Sequence, residues 1–248
     1  MKYLFTFFTI ALFCWNWNYQ TNHSYSNNIP AVIDTLEQSK NAFYQINEPL
    51  IADYDILYIG SPKDTLWINH THRPYKNHIL DDLDLEKAYK HITDSSINMS
   101  IYIDTTQIIK DDINIELTLM ELAEMTYKET AYYNAYPVCI QNHSIQTVKV
   151  GTTGYDEQLS LILEAIDSSG NWRPIEHPFI AMCGFGILPI VLNPQELLIT
   201  GVLIPKGAYK TQFRLNYYGK YSNIFEGSLS YGQFEPITEE SEPFMWED

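Results

Sequence analysis

Seven short runs decide the fold: Tyr136–Asn142 (YPVCIQN), Thr147–Gly151 (TVKVG), Leu159–Asp167 (LSLILEAID), Trp172–Glu176 (WRPIE), Glu196–Pro205 (ELLITGVLIP), Tyr209–Tyr218 (YKTQFRLNYY) and Ser222–Tyr231 (SNIFEGSLSY). Together they fill the stretch from Tyr132 to Phe234. Each run is apolar or alternating and is bounded by Gly, Pro, Asn, Asp or Ser. Turn signals recur about every 8–12 residues, the spacing of an antiparallel sandwich. Tyr209, Thr211, Phe213, Leu215 and Tyr217 alternate with Lys210, Gln212, Arg214 and Asn216. Phe225, Gly227, Leu229 and Tyr231 alternate with Glu226, Ser228 and Ser230. A period of two places each set on one face of a strand. The pattern predicts a mainly β chain built on an immunoglobulin-like antiparallel β-sandwich.

Within that stretch, Leu159–Ile166 is largely apolar on both faces, with Glu164 its one charged residue, which predicts a central strand covered on both sides. Asp167, Ser168, Ser169, Gly170 and Asn171 are turn chemistry. Pairing Asp167 with Trp172 sets Ile166 opposite Arg173 and Glu164 opposite Ile175, with Glu164 and Arg173 diagonal on one face. An unpaired carboxylate in so apolar a strand is costly, whereas a hydrogen-bonded pair is tolerated. Glu164 is therefore expected to form a structural ion pair with Arg173 or Arg214.

Outward from the sandwich, Asp112–Tyr127 carries both patterns; Ile113, Ile115, Leu117 and Leu119 alternate, and a strand is expected up to Met120. The sandwich domain is accordingly placed at 113–234. Residues 51–112 form a small β-rich N-terminal region. In it, ILYI and TLWI flank GSPKD, which predicts a β-hairpin over Asp55–Asn69. Asp81–Thr93 (DDLDLEKAYKHIT) predicts a short helix with its acidic residues at the favourable end. Ile97–Asp104 alternates as a half-buried strand. Residues 18–50 are rich in Asn, Ser and Thr and read as a linker, with one short helix near Thr35–Phe43. Residues 235–248 read as a disordered acidic tail. The hairpin and helix would extend the sandwich at its N-terminal side.

Met1–Trp17 (MKYLFTFFTIALFCWNW) pairs Lys2 with a run that is apolar apart from two threonines and Asn16. It is shorter than the about 20 residues a transmembrane helix needs, and it fits a secretory signal or a lipoprotein-type signal. Cys14 follows Ala11, Leu12 and Phe13, the placement of a lipidated cysteine; Phe13 departs from that pattern, which favours a small residue there. The chain is therefore expected to be extracytoplasmic (periplasm, cell surface or secreted), in the cell envelope, and to meet a membrane only through this signal or anchor.

With 31 acidic residues against 15 Lys and Arg in 248, the net charge is −16. Such a surface repels phosphate backbones, so nucleic acid is excluded as a partner. Cys139 and Cys183 form an even pair once Cys14 is set aside, and in an oxidising compartment they are a candidate disulfide, of about 2–4 kcal/mol if formed. His70 and His72 share a face only if their segment is a strand; Pro74 makes it a loop, no carboxylate or cysteine completes a ligand pattern, and no metal or cofactor is expected. Glu164 and Glu176 could be posed as a hydrolase pair, but the register puts them on opposite faces. No Gly-x-Ser-x-Gly, His-Glu-x-x-His or Gly-rich phosphate loop is present. Tyr155, Trp172, Tyr217, Tyr218 and Tyr221 lie in or beside turns, where aromatics stack on sugars or anchor a protein.

The segments YPVCIQN, LILEAIDSSGNWRPIE, Cys183-Gly184, KGAYKTQFRL and YSNIFEGSLSYGQF resemble uncharacterised extracytoplasmic proteins of Bacteroidetes-type bacteria. The resemblance covers Tyr132–Phe234. It implies the compartment and a sandwich fold, and it carries over no catalytic residue. The functional expectation is a non-enzymatic binding or envelope-assembly protein that uses sandwich loops or a sheet edge, with a protein or glycan partner in the envelope. The alternatives are a carbohydrate-binding module using exposed aromatics and, behind it, a hydrolase using Glu164.

Overall fold

The computed structural model describes residues 29–36, 50–52, 54–68, 70, 74–80, 90–112, 132–152, 159–177 and 188–235. In chain order the strands are β1 (Ala31–Asp34), β2 (Leu50–Ile51), β3 (Tyr58–Gly60), β4 (Thr65–Ile68), β5 (Lys90–His91), β6 (Met99–Ile103), β7 (Ile109–Asp112), β8 (Tyr132–Asn142) and β9 (Val148–Thr152). They continue as β10 (Ile162–Ile166), β11 (Trp172–Pro174), β12 (Glu176–His177), β13 (Pro189–Leu192), β14 (Leu197–Leu203), β15 (Tyr209–Tyr217), β16 (Lys220–Tyr221) and β17 (Phe225–Leu229). Among the described residues the helical elements are single 3-10 turns at Lys76–His78 and Tyr231–Phe234. The protein is mainly β, with several antiparallel sheets.

One five-stranded sheet has the order β3-β14-β8-β6, with β7 also on β8. The long strand β8 passes through Pro137, whose carbonyl accepts the Asp104 N–H. The proline nitrogen, which has no hydrogen, faces the gap where β6 ends and β7 has yet to begin, so no ladder bond is lost. Asp104 builds that gap: its carboxylate accepts Thr106 N at 2.9 Å, Thr106 Oγ1 at 2.6 Å and Gln107 Nε2 at 2.6 Å. A second five-stranded sheet has the order β11-β10-β15-β16, with β17 on β15. A third, β13-β9-β5, closes the same core. Ile101, Ile103, Val138, Ile140, Leu198 and Val202 of the first sheet share one apolar cluster with Leu163, Ala165, Phe213, Leu215, Phe225 and Leu229 of the second. Full burial of each such side chain contributes about 1.5–3 kcal/mol.

Strand β14 is covered on both faces, and the expected Leu159–Ile166 is not. The opposite face of β14 and β8, with Leu197, Ile199 and Ala135, packs against Val32 of β1 and Leu66 and Ile68 of β4. Strand β10 buries Leu163 and Ala165 on one face and leaves Ile162 and Ile166 half-buried on the other. The expected hairpin over Asp55–Asn69 does not form. Strand β3 pairs antiparallel with β14, and β4 pairs parallel with β1. Laid beside β3 in one sheet, β4 would leave the Leu197–Ile199 face bare; crossing below it, β4 covers that face. Strand β1 lies inside the segment read as linker. Gln107 tethers it, accepting Val32 N–H at 2.7 Å and donating to the Pro30 carbonyl at 3.0 Å. Since β6 and β7 pair with β8, and β3 with β14, the boundary expected at 112/113 runs through a single sheet.

Residues 81–89 of the expected helix and 37–43 of the other lie outside the described residues. The end of the first, Lys90–His91, is strand. The signal segment with Cys14, the alternating run 113–120 and the tail 236–248 also lie outside them.

Candidate functional site

The outer face of the second sheet carries the one group of expected residues that the fold brings together. Antiparallel register sets Glu164 directly opposite Arg214, and Ile162 opposite Asn216, so Glu164, Arg214 and Asn216 share that face. Strand β15 turns into β16 through Tyr218 (φ 49°) and Gly219 (φ 83°). Two successive positive φ values in a two-residue hairpin match the right-handed strand twist, and Gly219 takes its place without strain. Asn216 caps this turn, its Oδ1 accepting Gly219 N–H at 2.9 Å. The tight turn sets Tyr221 opposite Asn216, on the same face.

Trp172 arrives from the other side of the sheet. Asp167 Oδ1 accepts Ser169 N–H at 2.8 Å and Asn171 N–H at 3.0 Å, and Asp167 N–H bonds the Asn171 carbonyl. Asp167 is thus opposite Asn171, with Gly170 (φ 81°) in the loop between. Trp172 therefore faces Ile166, and Arg173 faces Ala165. This register is one residue away from the expected one, and a one-residue slip exchanges the faces of a strand. It takes Arg173 away from Glu164. Arg173 instead donates from Nη2 to the Phe234 carbonyl at 2.7 Å and stacks over the Phe234 ring. The same slip brings Trp172 to Arg214.

Arg214 is held on every side but one. Its Nε and Nη2 each lie 2.7 Å from Glu164 Oε2. Glu164 Oε1 accepts Asn216 Nδ2 at 2.7 Å. The guanidinium carbon lies 4.2 Å from the Trp172 ring centroid and 3.8 Å from that of Tyr221. Side-chain exposure is 19% for Arg214 and 11% for Glu164, while Tyr221 is 48% exposed. The result is an aromatic–guanidinium–aromatic stack on an open sheet face, anchored from beneath by the Glu164 carboxylate. Both oxygens of Glu164 accept hydrogen bonds, two at Oε2 and one at Oε1, which ties the carboxylate to Arg214 and Asn216.

The other expected residues lie elsewhere. Tyr217 is not on the surface: it follows Phe213 and Leu215 on the inner face, is 1% exposed, and donates its hydroxyl to the Val150 carbonyl, with burial pushing its pKa up. Tyr218 sits exposed at the turn tip, edge-on to His91 at 5.5 Å. Tyr155 lies outside the described residues. Cys139 is a free thiol that packs beside Leu197 and Ile199, and burial pushes it up to about 12. Cys183 lies outside the described residues. His70 bonds Asp34 at 3.2 Å, and its expected companion His72 also lies outside.

Two polar contacts escaped sequence reasoning. The alternation of β15 put Asn216 on the face of Arg214 but did not show its bond to Glu164. Glu176 had no such signal. It is buried on the core side of β10, where Oε2 accepts Tyr54 O–H at 2.6 Å and Leu163 N–H at 2.9 Å, and burial pushes its carboxyl up to about 7. Tyr54 is distant in sequence, and nothing local announces the contact.

No family model matches the chain, and neither a curated protein nor a solved structure does.

Proposed function

We propose that this is an exported, non-enzymatic binding protein that engages a protein partner through the outer face of the β11-β10-β15-β16 sheet. One observation carries the reading: Trp172, Arg214 and Tyr221 form a single pre-ordered cluster on a solvent-facing surface. Trp, Tyr and Arg are the residue types that dominate binding hot spots, and rigid placement lowers the entropy lost on association. An immunoglobulin-like arrangement of the two five-stranded sheets fits this role, because it presents sheet faces and loops on a stable core. The apolar run Tyr3–Trp17 supports export, with Cys14 as the point of lipid attachment if the signal is of the lipoprotein type. A glycan-binding module would be favoured by a coplanar row of open aromatic faces. Here both rings turn a face onto Arg214, which favours a protein partner.

The test is selection of a phage-displayed peptide library on the wild-type chain, counter-screened on a W172A/Y221A variant, beside a panel of neutral and acidic polysaccharides. Peptides retained by the wild type and lost from the variant are expected. Retention of polysaccharides alone, or of peptides equally by both chains, would overturn the reading.

A further inference from the structure

Resting on that reading, we infer that the partner presents a carboxylate, on an acidic peptide segment, to the open edge of Arg214. The argument is one of unspent donors. Glu164 takes Nε–H and one Nη2–H through a single oxygen. The two rings cover the faces of the guanidinium. What remains is the end formed by Nη1 and the outer Nη2–H, which has no partner among the described residues. A guanidinium with both faces covered is approached only in its own plane. Its free end offers two parallel N–H groups, spaced to meet the two oxygens of one carboxylate. The flanking rings add donors of their own: the Trp172 indole N–H and the Tyr221 hydroxyl are likewise without a partner among the described residues. Indole and guanidinium donate and never accept, so the site selects an acceptor.

Glu164 fixes the angle of the fork and also opposes the incoming charge. The orienting role is the one the structure shows, through three hydrogen bonds, so loss of the fork and loss of the carboxylate that holds it each weaken binding. The net charge of −16 acts against an acidic ligand, but exposed charges farther than about 8 Å are screened at physiological salt, so the local donors decide.

The test uses the full chain and four probes: a capped pentapeptide alternating glycine and glutamate, its glutamine counterpart, an oligogalacturonate and a neutral maltooligosaccharide. Binding is read by fluorescence anisotropy and by the indole N–H resonances. The glutamate peptide is expected to bind and the glutamine peptide to bind about tenfold more weakly. R214K, which keeps the charge and loses the fork, and W172A should each weaken binding about tenfold. E164Q, which loosens the fork, should weaken it severalfold. Melting curves recorded in parallel identify any variant that does not fold, and W172F, which keeps a ring and loses the N–H, then stands in for W172A. Oligogalacturonate bound in preference to the glutamate peptide would overturn the peptide assignment in favour of an acidic glycan. Equal binding of the glutamate and glutamine peptides, with library peptides still dependent on Trp172 and Tyr221, would overturn the carboxylate alone. Loss of that dependence as well would overturn the protein-binding reading with it.

Discussion

Replacing Glu164 by glutamine keeps the shape of the side chain and removes its charge. Three hydrogen bonds converge on the carboxylate, two from Arg214 to Oε2 and one from Asn216 to Oε1. Glutamine retains one acceptor oxygen and turns its amide nitrogen on a donor, either Asn216 Nδ2 or the guanidinium. One charge-assisted bond is therefore replaced by a donor–donor contact. Hydrogen bonds to charged groups contribute about 1.5–3 kcal/mol. An exposed ion pair contributes about 0–1 kcal/mol, and breaking a fully buried one costs about 3–5 kcal/mol. Exposures of 11% and 19% place this pair towards the buried limit, while the free edge of Arg214 and its two rings soften the loss. E164Q is expected to cost about 2 kcal/mol. Urea unfolding followed by tryptophan fluorescence should show a lower midpoint at an unchanged slope. A double-mutant cycle with R214M should give a coupling of at least about 1 kcal/mol. A loss below about 0.5 kcal/mol, or additive single effects, would refute the claim that this pair holds the stack in place.

Glu176 predicts a pH dependence. The folded chain keeps a proton, with a pKa of about 7, that the unfolded chain releases near 4.5. Its contribution is most favourable below pH 4.5, declines from there to pH 7, and is constant above. The difference amounts to about 3 kcal/mol, and E176Q should flatten that part of the stability profile measured by urea titration at a series of pH values. Thr200 is fully buried and its hydroxyl has no hydrogen-bond partner among the described residues. T200V should stabilise by about 1 kcal/mol and raise Tm by about 2–4 °C in calorimetry; a lower Tm would contradict the assignment of that hydroxyl as unsatisfied. A Cβ on Gly207 would lie 2.1 Å from the Leu229 backbone carbon. G207A should cost at least about 2 kcal/mol by denaturant unfolding, and a neutral effect would show that β17 moves freely there.

The parts of the fold that were legible are those where one face is wet. Strands β15 and β17 announced themselves by alternation, and so did β6 with Ile101 and Ile103 inside. The run LLITGVL was legible as a strand but not as the strand buried twice, because the side chains that cover its second face, Val32, Leu66 and Ile68, come from another part of the chain. The pairing of β3 with β14 was hidden for the same reason: local turn chemistry at Gly60–Asp64 says where the chain bends, not what each arm meets. For the site, the composition of the face was readable and its register was not. One hydrogen bond, Asp167 N–H to Asn171, decides whether Arg173 or Trp172 faces the Glu164 side of the sheet. Sequence placed five residues in the turn and the chain uses the last of them to extend the ladder.

The pairing of early strands with late ones also governs how the chain reaches this structure. Leu50 waits for Glu176, and Tyr58 waits for Ile199. Neither contact can form until most of the polypeptide is available, and closing loops of that length before any pairing is rewarded makes folding slow. A chain with such high contact order stays open while its C-terminal half is still being made. Under the export proposed above this would be an advantage, since a chain threaded through a translocation channel must be unfolded. Strands β2 and β3 therefore act as a delay: they find their partners only when β12 and β14 have been made.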